Sequence, residues 1–186
     1  MEKNFCLAVF ISILSIGFAQ KKGEEKIQAP KMPVDKETGL VTYTGTFEAK
    51  GIADTLYKRG LKWFNTNYKN PTDVIREKEE GKKILGKARF TIYSKDSKTG
   101  DQLNDGLVMY DITLQFKDGK CRYEITKINW KKPAYYGIEK WVEENNKEYN
   151  RVLSSYLVQT DEYFRDLIAK LKKAITTSES KKSDDW

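Results

Sequence analysis

The side chains that most often perform chemistry near neutral pH are scarce in this chain. It contains no histidine, and its two cysteines are Cys6 and Cys121. Histidine is the usual general base, the usual partner of a nucleophilic serine or cysteine, and the commonest metal ligand. The composition therefore excludes ordinary catalytic triads and zinc sites, and we expect no catalytic residue, no metal and no cofactor.

Carboxylates are plentiful, but their pattern does not indicate a site. A hydrolase can use a pair of them, yet nearly all fall on predicted helix surfaces, in turns or in the tail. The polar segment before Gly106 supplies oxygen ligands of the kind calcium prefers, namely Asp96, Asp101, Asn104 and Asp105. It lacks the D-x-D-x-D-G spacing and the closing glutamate, so a polar loop is favoured over a calcium site.

The net charge is basic but evenly distributed. Lys and Arg number 34 against 27 Asp and Glu, which gives a formal net charge of +7. Such an excess can serve nucleic acid, anionic membranes or polyanionic glycans, but no dense run of like charge occurs. We interpret the excess as a solubility feature. Polyanion or nucleic-acid binding remains the third option for the function, although Asp111 and Glu124 would repel phosphates.

The N-terminus predicts export. An almost unbroken apolar run follows Lys3 and ends in small residues at Gly17 and Ala19. This pattern is typical of a secretory signal peptide, residues 1–19, cleaved before Gln20. The run is shorter than the about 20 apolar residues of a membrane span, and no second run follows. We therefore expect a protein of the periplasm, the cell surface or the medium, with no membrane span after cleavage.

Cleavage would leave one domain with a single cysteine. We expect a flexible polar lead-in at residues 20–39, one α+β domain at residues 40–175 and a polar tail at residues 176–186. Cys121 then has no partner for an intrachain disulfide. We interpret it as a half-buried strand residue, with an intermolecular disulfide as the alternative.

Alternation of apolar and polar residues predicts five β-strands. The dipeptide Asp118-Gly119 favours a two-residue type I′ turn between the last two, which places Lys117 opposite Lys120. This register puts apolar pairs on one face and polar pairs on the other. The apolar pairs are Phe116–Cys121, Leu114–Tyr123 and Ile112–Ile125, and the polar pairs are Gln115–Arg122, Thr113–Glu124 and Asp111–Thr126.

Helical periodicity appears after the first strand and again at the C-terminal end. The first helix spans about 53–67, with Asp54 as a candidate N-cap, and Gly60 in its apolar stripe predicts a close approach to the sheet. The closing helix is predicted to begin with Thr160 or Asp161 as its N-cap, after a separate helical stripe that ends at Leu157.

Aromatic residues divide into two groups. Trp63, Phe64, Tyr163 and Phe164 fall on the apolar stripes of the helices and are assigned to the core. A second group follows the last strand and either covers the sheet edge or forms an exposed patch; it contains Trp130, Tyr135, Tyr136 and Trp141.

These elements predict a two-layer α+β domain. The order β-α-β-β-β-β-α(α) gives a five-stranded, mostly antiparallel sheet with the helices on one face and water on the other. The open face would carry our candidate binding residues, Lys87, Arg89, Tyr93 and Arg122, because arginine and tyrosine suit partner recognition. The alternative is a solvated face with cross-strand charge and threonine pairs.

Three segments carry a resemblance to a known family: residues 56–63 (LYKRGLKW), 84–88 (ILGKA) and 117–125 (KDGKCRYEI). Over about residues 40–129 and the closing helix, the chain resembles exported bacterial domains, mostly from Bacteroidetes, catalogued as domain of unknown function 4468. The resemblance implies a TATA-box-binding-protein-like fold and no known activity, ligand or catalytic residue. The fold name is an analogy of shape and does not license DNA binding.

The sequence therefore predicts an exported, non-catalytic domain. Its expected role is to bind a protein, a peptide or another envelope component in the periplasm or at the cell surface. An enzyme of unrecognised type is the alternative.

Overall fold

The computed structural model describes residues 27–96, 98–131, 134–142 and 151–177 of the 186-residue chain. The predicted signal peptide and residues 178–186 of the predicted tail lie outside this part. The elements, in chain order, are β1 (Tyr43–Glu48), α1 (Ala53–Asn67), α2 (Pro71–Val74), β2 (Ile75–Glu79), β3 (Lys83–Lys95), β4 (Gln102–Lys117), β5 (Lys120–Lys131), β6 (Tyr135–Gly137), α3 (Glu139–Val142) and α4 (Arg151–Thr176).

The strands form one antiparallel sheet in the order β1-β5-β4-β3-β2, and β6 pairs with β5 beyond the end of β1. The β4–β5 hairpin has the predicted register, with Lys117 opposite Lys120 and all six predicted pairs present. The predicted α+β class and sheet are confirmed, with one small difference. The sheet has a sixth strand, the three-residue β6, which is too short for alternation to reveal.

Helices α1 and α4 cover one face of this sheet, and the core lies between the two layers. Ile112, Leu114, Tyr123 and Ile125 are all buried beneath the helices, as the predicted register requires. Phe64 from α1 and Phe164 from α4 are fully buried on the other side of the core. Among the residues that the structure describes, no helix covers the opposite face of the sheet, which is therefore open there.

Two glycines, Gly60 and Gly86, leave room for aromatic rings between α1 and the sheet, so the helix packs close to the strands. A Cβ at Gly60 of α1 would lie 2.5 Å from the ring of Phe116 on β4. In the reverse direction, a Cβ at Gly86 of β3 would lie 2.6 Å from the ring of Phe64 on α1. The close approach predicted from Gly60 is therefore present. Gly86, on the sheet, makes room for a ring of α1 in the same way.

The N-terminus of α1 is capped by a side chain from the β4–β5 turn and not by a residue of the helix or of its N-cap position. Asp54 was the predicted N-cap, but the cap position is Ile52, which makes no side-chain cap bond. Instead, Asp118 Oδ1 in the β4–β5 turn accepts the N–H of Ala53 at 2.7 Å, and Asp54 pairs with Lys58. The prediction of Asp54 as cap is wrong because the carboxylate that bonds the helix lies 65 residues away along the chain.

The C-terminal helix does not begin at residue 160 or 161. Helix α4 runs without a break from Arg151 to Thr176, so Thr160 and Asp161 lie inside it. Both are buried, and Asp161 bonds Tyr43 of β1 and Arg165. Asp161, a residue type common at helix N-caps, therefore makes a buried polar contact inside the helix. The predicted helix start is wrong.

Part of the predicted lead-in packs against the domain. Met32 is buried in the core, and the C=O of Pro33 accepts the N–H of Thr42 at 2.8 Å. Val34 forms an isolated bridge with Val41. Residues 32–34 of the predicted lead-in are therefore held against the domain by one buried side chain, one backbone hydrogen bond and one bridge.

The second aromatic group, near the end of the sheet, is divided between packed and exposed residues: Trp141 is buried and Trp130 is partly buried. Trp141 packs against Trp130 and Tyr156, with ring centroids 5.3 and 5.7 Å away. Tyr135 and Tyr136 are exposed. The second aromatic group therefore covers the sheet end and leaves two tyrosines in solvent. Within the described residues, no helix combines the length and apolar character needed to cross a membrane.

Candidate functional site

The sheet face opposite α1 and α4, which we call the open face, carries the candidate binding residues at separate places. Lys87 and Arg89 are exposed on β3, two residues apart. Arg122 lies on β5 opposite Gln115, which in turn lies opposite Lys83. Arg89 is six residues beyond Lys83, or about 20 Å along the strand. The structure brings Lys87 and Arg89 together and leaves Arg122 at the other end.

Tyr93 lies farther along β3, beyond a β-bulge in which Asp105 is the extra residue of β4. Its side chain is 36% exposed. Its backbone N–H donates to Gln159 Oε1 at 3.0 Å, and its C=O accepts from Gln159 Nε2 at 2.8 Å. The α4 side chain therefore occupies the outer edge of β3 beside Tyr93.

One carboxylate lies in the middle of the open face between two lysines. Lys87 Nζ is 4.0 Å from Asp111 Oδ1, and Lys127 Nζ is 3.4 Å from Asp111 Oδ2. The Asp111 side chain is 15% exposed, whereas both lysines are more than half exposed. Two exposed lysines share one carboxylate, so positive charge remains available to an acidic partner around Lys87 and Arg89.

Lys127 reaches Asp111 because β5 bulges after Thr126. Three steps along β5, from Thr126 to Asn129, match two steps along β4. Among the described residues other than glycine, Lys127 alone has a positive φ, 51°. A left-handed backbone costs an L-residue with a side chain about 1–2 kcal/mol.

Replacing Lys127 with glycine should therefore raise the free energy of unfolding by about 0.5–1 kcal/mol, since relief of strain outweighs the loss of an exposed ion pair. Urea denaturation measures the change. Lys127→Ala is the matched control, because it removes the same ion pair and keeps the strain, so it should not stabilise. A glycine variant less stable than the alanine variant would disprove the strained conformation.

Threonines occupy the β1 side of the open face. Thr42 Oγ1 and Thr126 Oγ1 are 3.1 Å apart, and Thr44 Oγ1 donates to the C=O of Tyr123 at 3.1 Å. These hydroxyls already have partners within the sheet. The threonine pairs predicted for a solvated face are thus present on this side, and the cationic residues lie on the β3 side.

A groove of about 660 Å³ lies where the β4–β5 turn meets the β2–β3 turn. We call it the hairpin-end groove, and its basic lining residues are Lys82, Lys83, Lys117, Lys120 and Arg122. Lys83 Nζ lies 2.9 Å from Glu77 and 3.6 Å from Glu79, and the hydrogen bond to Glu77 raises the pKa of this lysine. Sequence reasoning missed this groove because its residues come from two distant turns.

A larger groove of about 890 Å³ separates residues 31–37 from β1 and α4, and a buried polar network lies beside it. Tyr43 Oη donates to Asp161 Oδ1 at 2.8 Å, and Arg165 Nε donates to Asp161 Oδ2 at 2.6 Å. Burial raises the pKa of Tyr43 above its usual value, and the bond to Asp161 raises it further. The phenol stays protonated at neutral pH and holds β1 against α4.

Three further tyrosine hydroxyls form a chain between α1, the sheet and α4. Tyr110 Oη is 3.1 Å from Tyr68 Oη and 3.0 Å from Tyr163 Oη. Burial is the main cause that raises the pKa of all three. These groups therefore remain protonated and join the layers of the core, which favours a structural role over acid–base chemistry.

Cys121 is fully buried, and its Sγ lies 3.7 Å from the C=O of Arg122. Burial raises the pKa of this thiol to about 12. The thiolate is the reactive form, so Cys121 is an inert strand residue in the folded domain. This position supports the strand interpretation over an intermolecular disulfide.

In the loop between β3 and β4, Asp96 accepts hydrogen bonds from the backbone of its own loop. Asp96 Oδ1 accepts the N–H groups of Lys98 and Thr99 at 2.8 and 2.9 Å, and these bonds lower the pKa of Asp96. In the described part of the chain, no three His, Cys, Asp or Glu residues are grouped to hold a metal ion. Asp96 serves here as a turn residue.

Comparison with known proteins shows which family and which solved structures this chain resembles. The model of the family described as domain of unknown function (DUF4468) with TBP-like fold matches residues 43–131. A crystal structure of a DUF4468 family protein from Bacteroides ovatus has a TM-score of 0.64 and 22% identity, covering 84% of this chain and 98% of that chain. A TBP-like protein from Parabacteroides distasonis has a TM-score of 0.61 and 15% identity, covering 78% and 99%. No curated protein matches the sequence.

Proposed function

We propose that this chain, which carries a DUF4468 domain with a TBP-like fold at residues 43–131, is a non-catalytic module that binds a protein or peptide partner through its open face. The observation that carries the proposal is the one-sided cover of the sheet. Helices α1 and α4 bury one face, and the other keeps Lys87 and Arg89 exposed beside a single shared carboxylate. An arginine on a rigid strand is a favourable anchor for an acidic partner.

The place of action in this proposal is the cell envelope. It is supported by the basic start, the short apolar run and the small residues of the N-terminal 19 residues, a pattern typical of a cleaved secretory signal. The partner would then be a protein or another component of the periplasm or the cell surface.

Site-directed photo-crosslinking tests the proposal. A photoreactive amino acid at Arg89 of the full chain, expressed in Bacteroides cells, should capture a defined envelope partner. The same amino acid at Lys170 is the matched control, because Lys170 is also solvent-exposed but lies on α4, in the helix layer. Mass spectrometry identifies the captured partner, and the captured chain should begin at Gln20.

Binding of the identified partner then separates the two ends of the open face. Arg89→Ala should weaken binding by about tenfold or more, as expected for an interface arginine. Arg122 lies about 20 Å from Arg89 along the strand direction. Arg122→Ala should therefore weaken binding less than Arg89→Ala does. Equal capture from Arg89 and Lys170, or unchanged affinity in Arg89→Ala, would refute the placement of the interface.

A further inference from the structure

The hairpin-end groove concentrates positive charge at one end of the sheet. Lys117 and Lys120 are direct cross-strand partners, Arg122 is two residues from Lys120, and the C=O of Lys82 accepts the N–H of Phe116 at 2.8 Å. Lys82, Lys117, Lys120 and Arg122 are exposed. Four exposed cationic side chains therefore border one groove of about 660 Å³, in addition to the ion-paired Lys83.

This arrangement costs stability. Side chains directly opposite each other on antiparallel strands lie about 5 Å apart at Cβ, and like charges in such a pair repel. Lysines are common on edge strands, where they prevent one sheet from pairing with another. That explanation does not apply here, because β4 and β5 are inner strands of the sheet.

Nearby carboxylates do not neutralise the groove. Glu79 lies 3.6 Å from Lys83, which Glu77 also binds. Arg122 lies 3.6 Å from its neighbour Glu124. Glu48 is the register partner of Lys120 on β1, but among the described residues no carboxylate lies within 4.0 Å of Nζ of Lys82, Lys117 or Lys120. Three lysines thus border the groove without an ion pair.

We propose that the hairpin-end groove binds a small ligand that carries two or more phosphate or sulfate groups. The lysine ammonium groups supply charge, the Arg122 guanidinium suits bidentate contact with an oxyanion, and Thr46 and Gln115 in the same groove add neutral polar groups. The site does not include Lys87 or Arg89, so it stands whether or not the open face recognises a partner.

Isothermal titration calorimetry of the full chain tests the proposal with two probes. Sodium tripolyphosphate represents phosphate, and a disulfated disaccharide represents sulfate. At least one probe should bind with a dissociation constant of about 1 mM or tighter at low ionic strength, and the affinity should fall as added salt screens the charges. The probe that binds more tightly identifies the ligand class.

The double variant Lys117→Gln with Lys120→Gln should lose about tenfold or more of that affinity, equivalent to about 1.4 kcal/mol. The matched control is Lys95→Gln with Lys98→Gln, which removes the same charge at the opposite end of the sheet and should keep the affinity within about twofold. Lys82→Gln tests the groove from its other turn, and a thermal melt of each variant confirms folding.

Absence of binding by both probes at low ionic strength would overturn the proposal. So would an equal loss in the groove variant and the control, since that result would mean a response to net charge alone. Neither outcome would affect the crosslinking result expected at Arg89.

Discussion

Replacement of Phe64 by alanine should lower the free energy of unfolding by about 3–5 kcal/mol, the range for a buried phenylalanine. Phe64 is fully buried, and its ring lies over Gly86 and against the rings of Trp63 and Tyr68. The ring fills the space that the missing Cβ of Gly86 leaves, so its removal opens a cavity between α1 and β3. Urea denaturation monitored by circular dichroism measures the change. Tyr93→Ala, at an exposed position, is the control and should have little effect.

A double-mutant cycle tests whether the ring and the glycine form one contact. Gly86→Ala should destabilise by about 1–3 kcal/mol, because the new methyl group overlaps the ring. Phe64→Leu should also destabilise. The double variant should be more stable than the sum of the two changes predicts. Strict additivity would mean that Gly86 does not provide the space for Phe64.

Replacement of Asp161 by alanine should lower the free energy of unfolding by about 1–3 kcal/mol, because it leaves a buried hydroxyl without its acceptor. Asp161 accepts bonds from Tyr43 on β1 and Arg165 on α4. The cost arises at Tyr43, which is buried, and not at Arg165, which is mostly exposed. In a Tyr43→Phe background the same substitution should cost less, since no hydroxyl then loses its partner. An equal cost in both backgrounds would contradict this account.

The same pair contributes to the alkaline limit of stability. Burial, and next the bond to Asp161, raise the pKa of Tyr43 above the value of 10.0 expected in the unfolded chain. Above that pH the unfolded chain loses a proton that the folded chain keeps, so stability falls as pH rises. Tyr43→Phe should therefore lose less stability than the natural chain between about pH 9 and 11. Identical slopes would show that Tyr43 does not contribute to the alkaline loss.

The β4–β5 hairpin was predictable because two local signals agree. Asp118-Gly119 specifies a short turn, and the alternation from Asp111 to Thr126 leaves one register that keeps every apolar residue on the same face. Beyond Thr126 the bulge ends this register. Ile125 and Ile128 are both fully buried although they are three residues apart, and this break in the period of two is the signal that could have located the bulge.

Polar contacts between distant segments were not predictable. Asp118 caps α1 from a turn, and Asp161 bonds Tyr43 from inside α4. Asp is typical of turns and of helix N-caps, so the sequence predicts a local role for each of these residues. In the fold, each one bonds a segment that is distant along the chain. The predicted cap Asp54 and the predicted helix start failed for this reason.

The sequence could predict which face of the sheet carries the candidate residues, but it could not predict the distances between them. Alternation assigns Lys87, Arg89 and Arg122 to the same side of the sheet, and all three are exposed there. Their spacing depends on strand order and register, which separate Arg89 from Arg122 by about 20 Å along the strands. The hairpin-end groove needs the β2–β3 turn beside the β4–β5 turn, and no local pattern specifies that neighbour.

The side-chain amide of Gln159 has the same donor and acceptor pair as a peptide group, and it bonds both backbone groups of Tyr93. The Gln159 side chain on α4 therefore takes the place that one residue of a neighbouring strand would have, and it occupies the backbone N–H and C=O of Tyr93 at this edge. A foreign chain that adds to the sheet at this point must first displace the amide. The domain thus resists pairing with the edge of another sheet at this point.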